Sequence, residues 1–95
     1  MHITDKIQLL NDKELKLYFF NPDPKFKDFE TQFVSAGSEF LIVGYVADKS
    51  NKLFTDDTAK GDSNYACVIK NIANNELFRL EQIMLLEHFV KVQLN

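Results

Sequence analysis

The sequence predicts an α+β fold: a small antiparallel sheet of four to five strands, with a short N-terminal helix and a C-terminal helical segment. An all-β sandwich is the alternative. Three observations lead there. Residues 38–48 form the most apolar run of β-branched and aromatic side chains in the chain, the mark of a central strand. Several shorter segments alternate apolar and polar residues with period two. Only three glycines and two prolines punctuate 95 residues, fewer turn formers than a sandwich of short strands requires.

Taken in order, Thr4 is placed to cap a first helix, with Asp5 at its positive end and Ile3, Ile7 and Leu10 on one side, ending near Asn11-Asp12. In 13–20, Leu15, Leu17 and Phe19 alternate with Lys16 and Tyr18, which reads as a half-solvated strand. Pro22 and Pro24 then stop it, since each lacks a backbone donor and biases the preceding residue away from helix. A second strand runs over 27–34, where Phe29, Thr31 and Phe33 alternate with Glu30 and Gln32. Gly37 supplies the positive φ for the turn that follows.

In the central strand, strict alternation sets Phe40, Ile42 and Val46 on one face and Leu41, Val43, Tyr45 and Ala47 on the other. Both faces are apolar, so both require cover. Lys52-Leu53-Phe54 returns as a short strand, 55–64 is a long polar loop, and 65–72 is a further strand that Asn74-Asn75 breaks. From Glu76 to about His88 the chain is rich in helix formers and is assigned to helix through Leu86. Val90, Val92 and Leu94 then alternate with Lys91 and Gln93 as in a closing strand, and a wholly extended segment is the alternative for the whole stretch.

Ninety-five residues, 45% hydrophobic and 26% charged, suit one packed domain, 1–95, with little surplus stability. Cys67 is the sole cysteine, so the chain can form no internal disulfide, and a reducing, cytoplasmic setting fits. The first residues lack the basic-then-apolar pattern of a secretory signal, and no run approaches the roughly 20 apolar residues of a membrane span. A net charge of −3 with mixed signs and a single arginine, Arg79, argues against direct nucleic-acid binding. Many Lys, Asn and Phe residues beside one Arg point to an A/T-rich coding sequence, as in certain bacteria, their phages and mobile elements.

Chemistry-bearing constellations are sparse. His2 and His88 have no Cys, Asp or His at ligand spacing, Cys67 sits among Ala66, Val68 and Ile69, and 48–53 lacks the oxygen ligand and glycine of a calcium loop. With no Gly-rich phosphate cradle and no ordered nucleophile and base, the sequence predicts neither cofactor, metal site nor catalytic residues, and no enzyme.

The expected function is therefore protein binding: a small acidic inhibitor or immunity-type protein, including the phage-encoded kind that blocks a host nucleic-acid machine. The alternative is a self-associating structural or assembly subunit, such as a small virion component. Phe54 beside Asp56, Asp57 and Asp62 marks a candidate partner-binding loop, an aromatic anchor next to carboxylates suited to a basic partner. A second expectation is association, because the central strand or the segment Ile83-Met84-Leu85-Leu86 carries more apolar surface than one short helix covers, and a homo-oligomer would cover it.

Overall fold

A computed structural model of the chain describes residues 1–12, 14–22, 30–47 and 50–92. Among these, eight strands form one antiparallel sheet: β1 (Lys6–Leu9), β2 (Leu15–Phe19), β3 (Thr31–Val34), β4 (Glu39–Ala47), β5 (Leu53–Phe54), β6 (Tyr65–Asn71), β7 (Leu77–Glu81) and β8 (Phe89–Lys91). The order across the sheet is β3-β2-β7-β6-β4-β1-β8, with β5 pairing the far end of β4. Among the described residues one α-helix, α1 (Gln82–His88), joins β7 to β8, and one 3-10 turn spans Asp57–Ala59.

The fold therefore corrects the α+β expectation and lies closer to its all-β alternative. Where an N-terminal helix was expected, β1 lies between β4 and β8, with Ile7 opposite both Phe40 and Lys91. Ile7 and Leu9 are buried and alternate with Lys6 and Gln8, so period two wins over the weak helical spacing of Ile3, Ile7 and Leu10. Thr4 is no cap: it takes a φ of 74° and donates its N–H to Ile42 O at 2.8 Å. At the other end, 77–81 is strand and only seven residues are helical, because Phe78 and Leu80 point into the core opposite Ile69 and Cys67. Lys27 and Phe29 of the expected second strand lie outside the described residues, and 31–34 is strand as expected.

Strand β4 also corrects its own face assignment. Ile42 pairs with Ile69 and Gly44 with Val68, so Val43 is an extra residue, a β-bulge. One added residue reverses the parity of everything after it. Tyr45 consequently joins Phe40 and Ile42 in the main core, while Val46 turns to the opposite face and packs with Phe20 and Val68. Gly44, just after the bulge, permits the close approach of β5: a Cβ there would collide with the Phe54 carbonyl and lie 2.8 Å from Leu53 Cδ1.

The main core gathers side chains from β3 at one end of the sheet and from β8 at the other, so the sheet curls around it. Its centre is aromatic: Phe78 stacks on Phe19 at 4.9 Å and meets Phe40 edge-on at 6.2 Å, and Phe40 meets Phe89 at 5.7 Å. Such pairs add about 0.5–1.5 kcal/mol each beyond the area they bury.

Candidate interaction surface

The ladder between β2 and β7 is short. Tyr18 pairs with Arg79 and Phe19 with Phe78, and the Phe20 N–H donates to Leu77 O at 2.9 Å. Continuing that register would set Leu17 opposite Leu80 and Lys16 opposite Glu81, but Leu80 and Glu81 stay paired with Cys67 and Ala66 of β6, α1 follows from Gln82, and the pairing of β2 with β7 stops at Tyr18 and Arg79. The two strands part there, and an open cleft of about 1320 Å³ lies between them. Lys16, Leu17 and Tyr18 line one wall, and Leu80, Glu81 and α1 the other.

Helix α1 is too short to be stable alone and is held by tertiary contact. Leu85 is its buried anchor. On its outer side Ile83 and Leu86, three residues apart and so on one face, are 55% and 65% exposed. Tyr18, on the opposite wall, is 52% exposed and neighbours Arg79 on the same face of the sheet. The cleft is therefore a mainly apolar surface with Lys16, Lys60, Arg79 and Glu81 as its charged groups.

Gln82, at the start of α1, pins the wall to the long loop. Its side-chain amide donates to the carbonyls of Ala59, Asp62 and Tyr65 at 3.1, 2.9 and 2.9 Å, and its Oε1 accepts the Gly61 N–H at 2.8 Å. A single side chain thus satisfies the Gly61 N–H and shares its two N–H donors among three carbonyls, two of which also accept the Asp62 and Tyr65 N–H groups, tying the 59–62 loop to the start of β6.

The loop's expected binding residues hold the fold together locally. Asp56 caps the 3-10 turn by accepting the Thr58 N–H at 3.0 Å, and the Thr58 hydroxyl and N–H lower its pKa. Asp57 accepts the Ile3 N–H at 3.1 Å and faces His2 at 3.7 Å, tying the loop to the N-terminal segment. Asp62 accepts the Asn64 N–H at 3.0 Å in an Asx turn. Phe54 is half-buried, edge-on to Tyr65 at 5.9 Å and beneath the Lys52 ammonium at 5.3 Å. The structure brings these four residues into one region but gives each a partner within the chain.

Titratable groups in the interior are quiet. Burial pushes the Cys67 thiol up to about 12, with the Asp57 charge adding to it, so it carries no thiolate near neutrality. Burial likewise pushes Tyr45 up to about 12, followed by the influence of Cys67 and Asp57. Among the described residues no three His, Cys, Asp or Glu side chains converge to hold a metal ion. Asp48 and Lys49 of the 48–53 segment lie outside them.

The sequence singled out the segment containing Ile83 and Leu86, but it missed Tyr18 and Gln82. Tyr18 had a legible signal, since it falls on the polar side of an alternating strand. Gln82 had none, because its partners are 17 to 23 residues away. Comparisons with protein-family models, curated proteins and solved structures yield no match.

Proposed function

We propose that the chain is a non-enzymatic, self-associating assembly subunit that works through the apolar cleft and the outer face of α1. The observation that carries this reading is the outward placement of Ile83 and Leu86 across the cleft from Tyr18. Burying one Leu or Ile side chain is worth roughly 1.5–3 kcal/mol. Covering these partly exposed groups yields a few kcal/mol per subunit, the scale of a contact that accumulates by repetition.

The inhibitor reading rests on Phe54, Asp56, Asp57 and Asp62, and draws less support because their carboxylates and ring are engaged within the chain. No helix among the described residues is long and apolar enough to cross a membrane. We place the protein's work in the cytoplasm, on the ground that its one cysteine can form no internal disulfide.

Light scattering over a concentration series tests the reading. The wild-type mass should exceed the monomer and rise with concentration. The Ile83→Glu, Leu86→Glu double variant should have an unchanged far-ultraviolet circular dichroism spectrum and a smaller mass at every concentration. A double variant with the wild-type mass sinks the α1 contact.

A further inference from the structure

The geometry points to a second self-contact, in which the outer edge of β3 pairs antiparallel with β3 of a second copy about a twofold axis centred on Gln32. It rests on the self-association reading above and adds a surface to it.

The argument starts from hydrogen-bond parity. Leu15 to Tyr18 of β2 pair with Val34 to Thr31, and the Phe19 N–H donates to Glu30 O at 3.0 Å. In an antiparallel ladder alternate residues bond to the same neighbour, so Glu30, Gln32 and Val34 spend their backbone groups on β2. Thr31 and Phe33 therefore direct an N–H and a C=O away from the sheet. Among the described residues no strand pairs with that edge.

Such an edge is a template for another strand unless it is blunted by charge, proline or a bulge. From Thr31 to Val34 it has none of these. The other end of the sheet, where the edge strand is about as short as β3, is blunted further: β8 follows a helix directly and carries Lys91, whose ammonium lies 3.6 Å from Asp5.

Self-pairing follows from what stands on the axis. In a register with Gln32 opposite its own copy, Thr31 of each chain faces Phe33 of the other, and these pairs exchange four backbone hydrogen bonds. The residue on a twofold axis must tolerate itself. A carboxylate or ammonium would repel its copy, whereas the exposed Gln32 amide both donates and accepts and can bond its twin across the axis. On the other face Phe33, 61% exposed and flanked by the Lys16 ammonium 5.9 Å from its ring, lies diagonal to its counterpart, within the reach of aromatic side chains. The partner is thus a second copy of this chain, and the sheet runs continuously through both. A twofold contact alone stops at a dimer, whereas together with the α1 contact it propagates an assembly.

The test uses the Ile83→Glu, Leu86→Glu background, which removes the first contact. That protein should be a dimer. Adding Phe33→Pro deletes only an outward N–H and none bonded to β2, and it should yield a monomer with an unchanged dichroism spectrum. Adding Phe33→Thr keeps the N–H and strand propensity, and it should leave the dimer. Amide exchange read without any β3 variant should show Thr31 and Phe33 slowing as concentration rises. A monomeric α1 double variant, or equal loss of the dimer with Pro and Thr, or concentration-independent exchange at Thr31 and Phe33, overturns the β3 contact. An α1 double variant with the wild-type mass instead overturns the cleft reading and leaves the β3 result standing.

Discussion

Strands β4 and β6 run together for seven pairs, from Phe40 opposite Asn71 to Ala47 opposite Tyr65, and absorb a bulge on the way. Strands β2 and β7 share two pairs and separate. Both ladders border the same buried ring, since Phe78 stacks on Phe19 on one side and lies opposite Ile69 on the other. The difference lies in where each ladder stops. β4 and β6 stay paired to Ala47 and Tyr65, whereas β2 and β7 stop pairing at Tyr18 and Arg79 although β2 reaches back to Leu15 and β7 runs on to Glu81 before α1 begins at Gln82. A long ladder closes a core, and a ladder that stops after two pairs leaves apolar walls facing solvent.

Removing the ring common to both ladders should have the largest effect. Phe78→Ala is expected to cost about 3–5 kcal/mol, the loss of transfer energy plus a cavity beneath Phe19 and Phe40. Urea denaturation followed by circular dichroism measures it. A loss below about 1 kcal/mol would show that the two ladders do not depend on a common centre.

Gly44→Ala attacks the long ladder alone. The new methyl meets the Phe54 carbonyl and the Leu53 side chain, so β5 must shift away from β4 at an expected cost of about 1–3 kcal/mol. The same denaturation experiment reads it, and amide exchange should quicken at Leu53 and Phe54 before it does in β2.

Gln82→Ala attacks the short ladder's far wall. It leaves the Gly61 N–H without its partner and removes one donor from three carbonyls, of which Ala59 O and Asp62 O still accept the Asp62 and Tyr65 N–H groups, with an expected cost of about 1–2 kcal/mol because water replaces part of the loss at an exposed loop. Exchange at the Gly61 amide should rise at least tenfold while the β4 and β6 amides hold.

The smallest effect is electrostatic and belongs to the rim near β1. The His2 N–H at 2.7 Å, followed by the Lys91 charge, lowers the Asp5 pKa below its ordinary value of 3.8. A depressed carboxylate stabilises the fold above its unfolded pKa, and that contribution disappears as pH falls through the folded value. Stability should accordingly be flat in this respect above about pH 5 and decline below pH 4, and Asp5→Asn should shallow that decline. An identical acid limb in the variant would remove Asp5 as a contributor.

Much of the sheet was legible because alternation is local. Leu15, Leu17 and Phe19 against Lys16 and Tyr18 fixed β2, and the apolar run Tyr65 to Ile69 fixed β6, from neighbours alone. The N-terminal strand was not, since Ile3, Ile7 and Leu10 satisfy a helical spacing about as well as Ile7 and Leu9 satisfy a strand, and only pairing with β4 and β8 decides between them. The candidate surface divided in the same way. That Ile83 and Leu86 lie on one face of a helix is a property of their spacing.

What the sequence determined by itself was the apolar inventory, the central strand, the turn at Gly37 and the break at Asn74-Asn75, because these depend on side-chain type and, at Gly37, on a φ of 86° that few residues accept. Tertiary structure alone decided that Val43 bulges and turns Tyr45 inward, that Gln82 ties the loop, and that β7 leaves β2 with a cleft beside it. Each of these depends on which distant segment lies opposite. Register and strand order are set by many weak contacts between residues far apart in the chain, and no short window of sequence contains them.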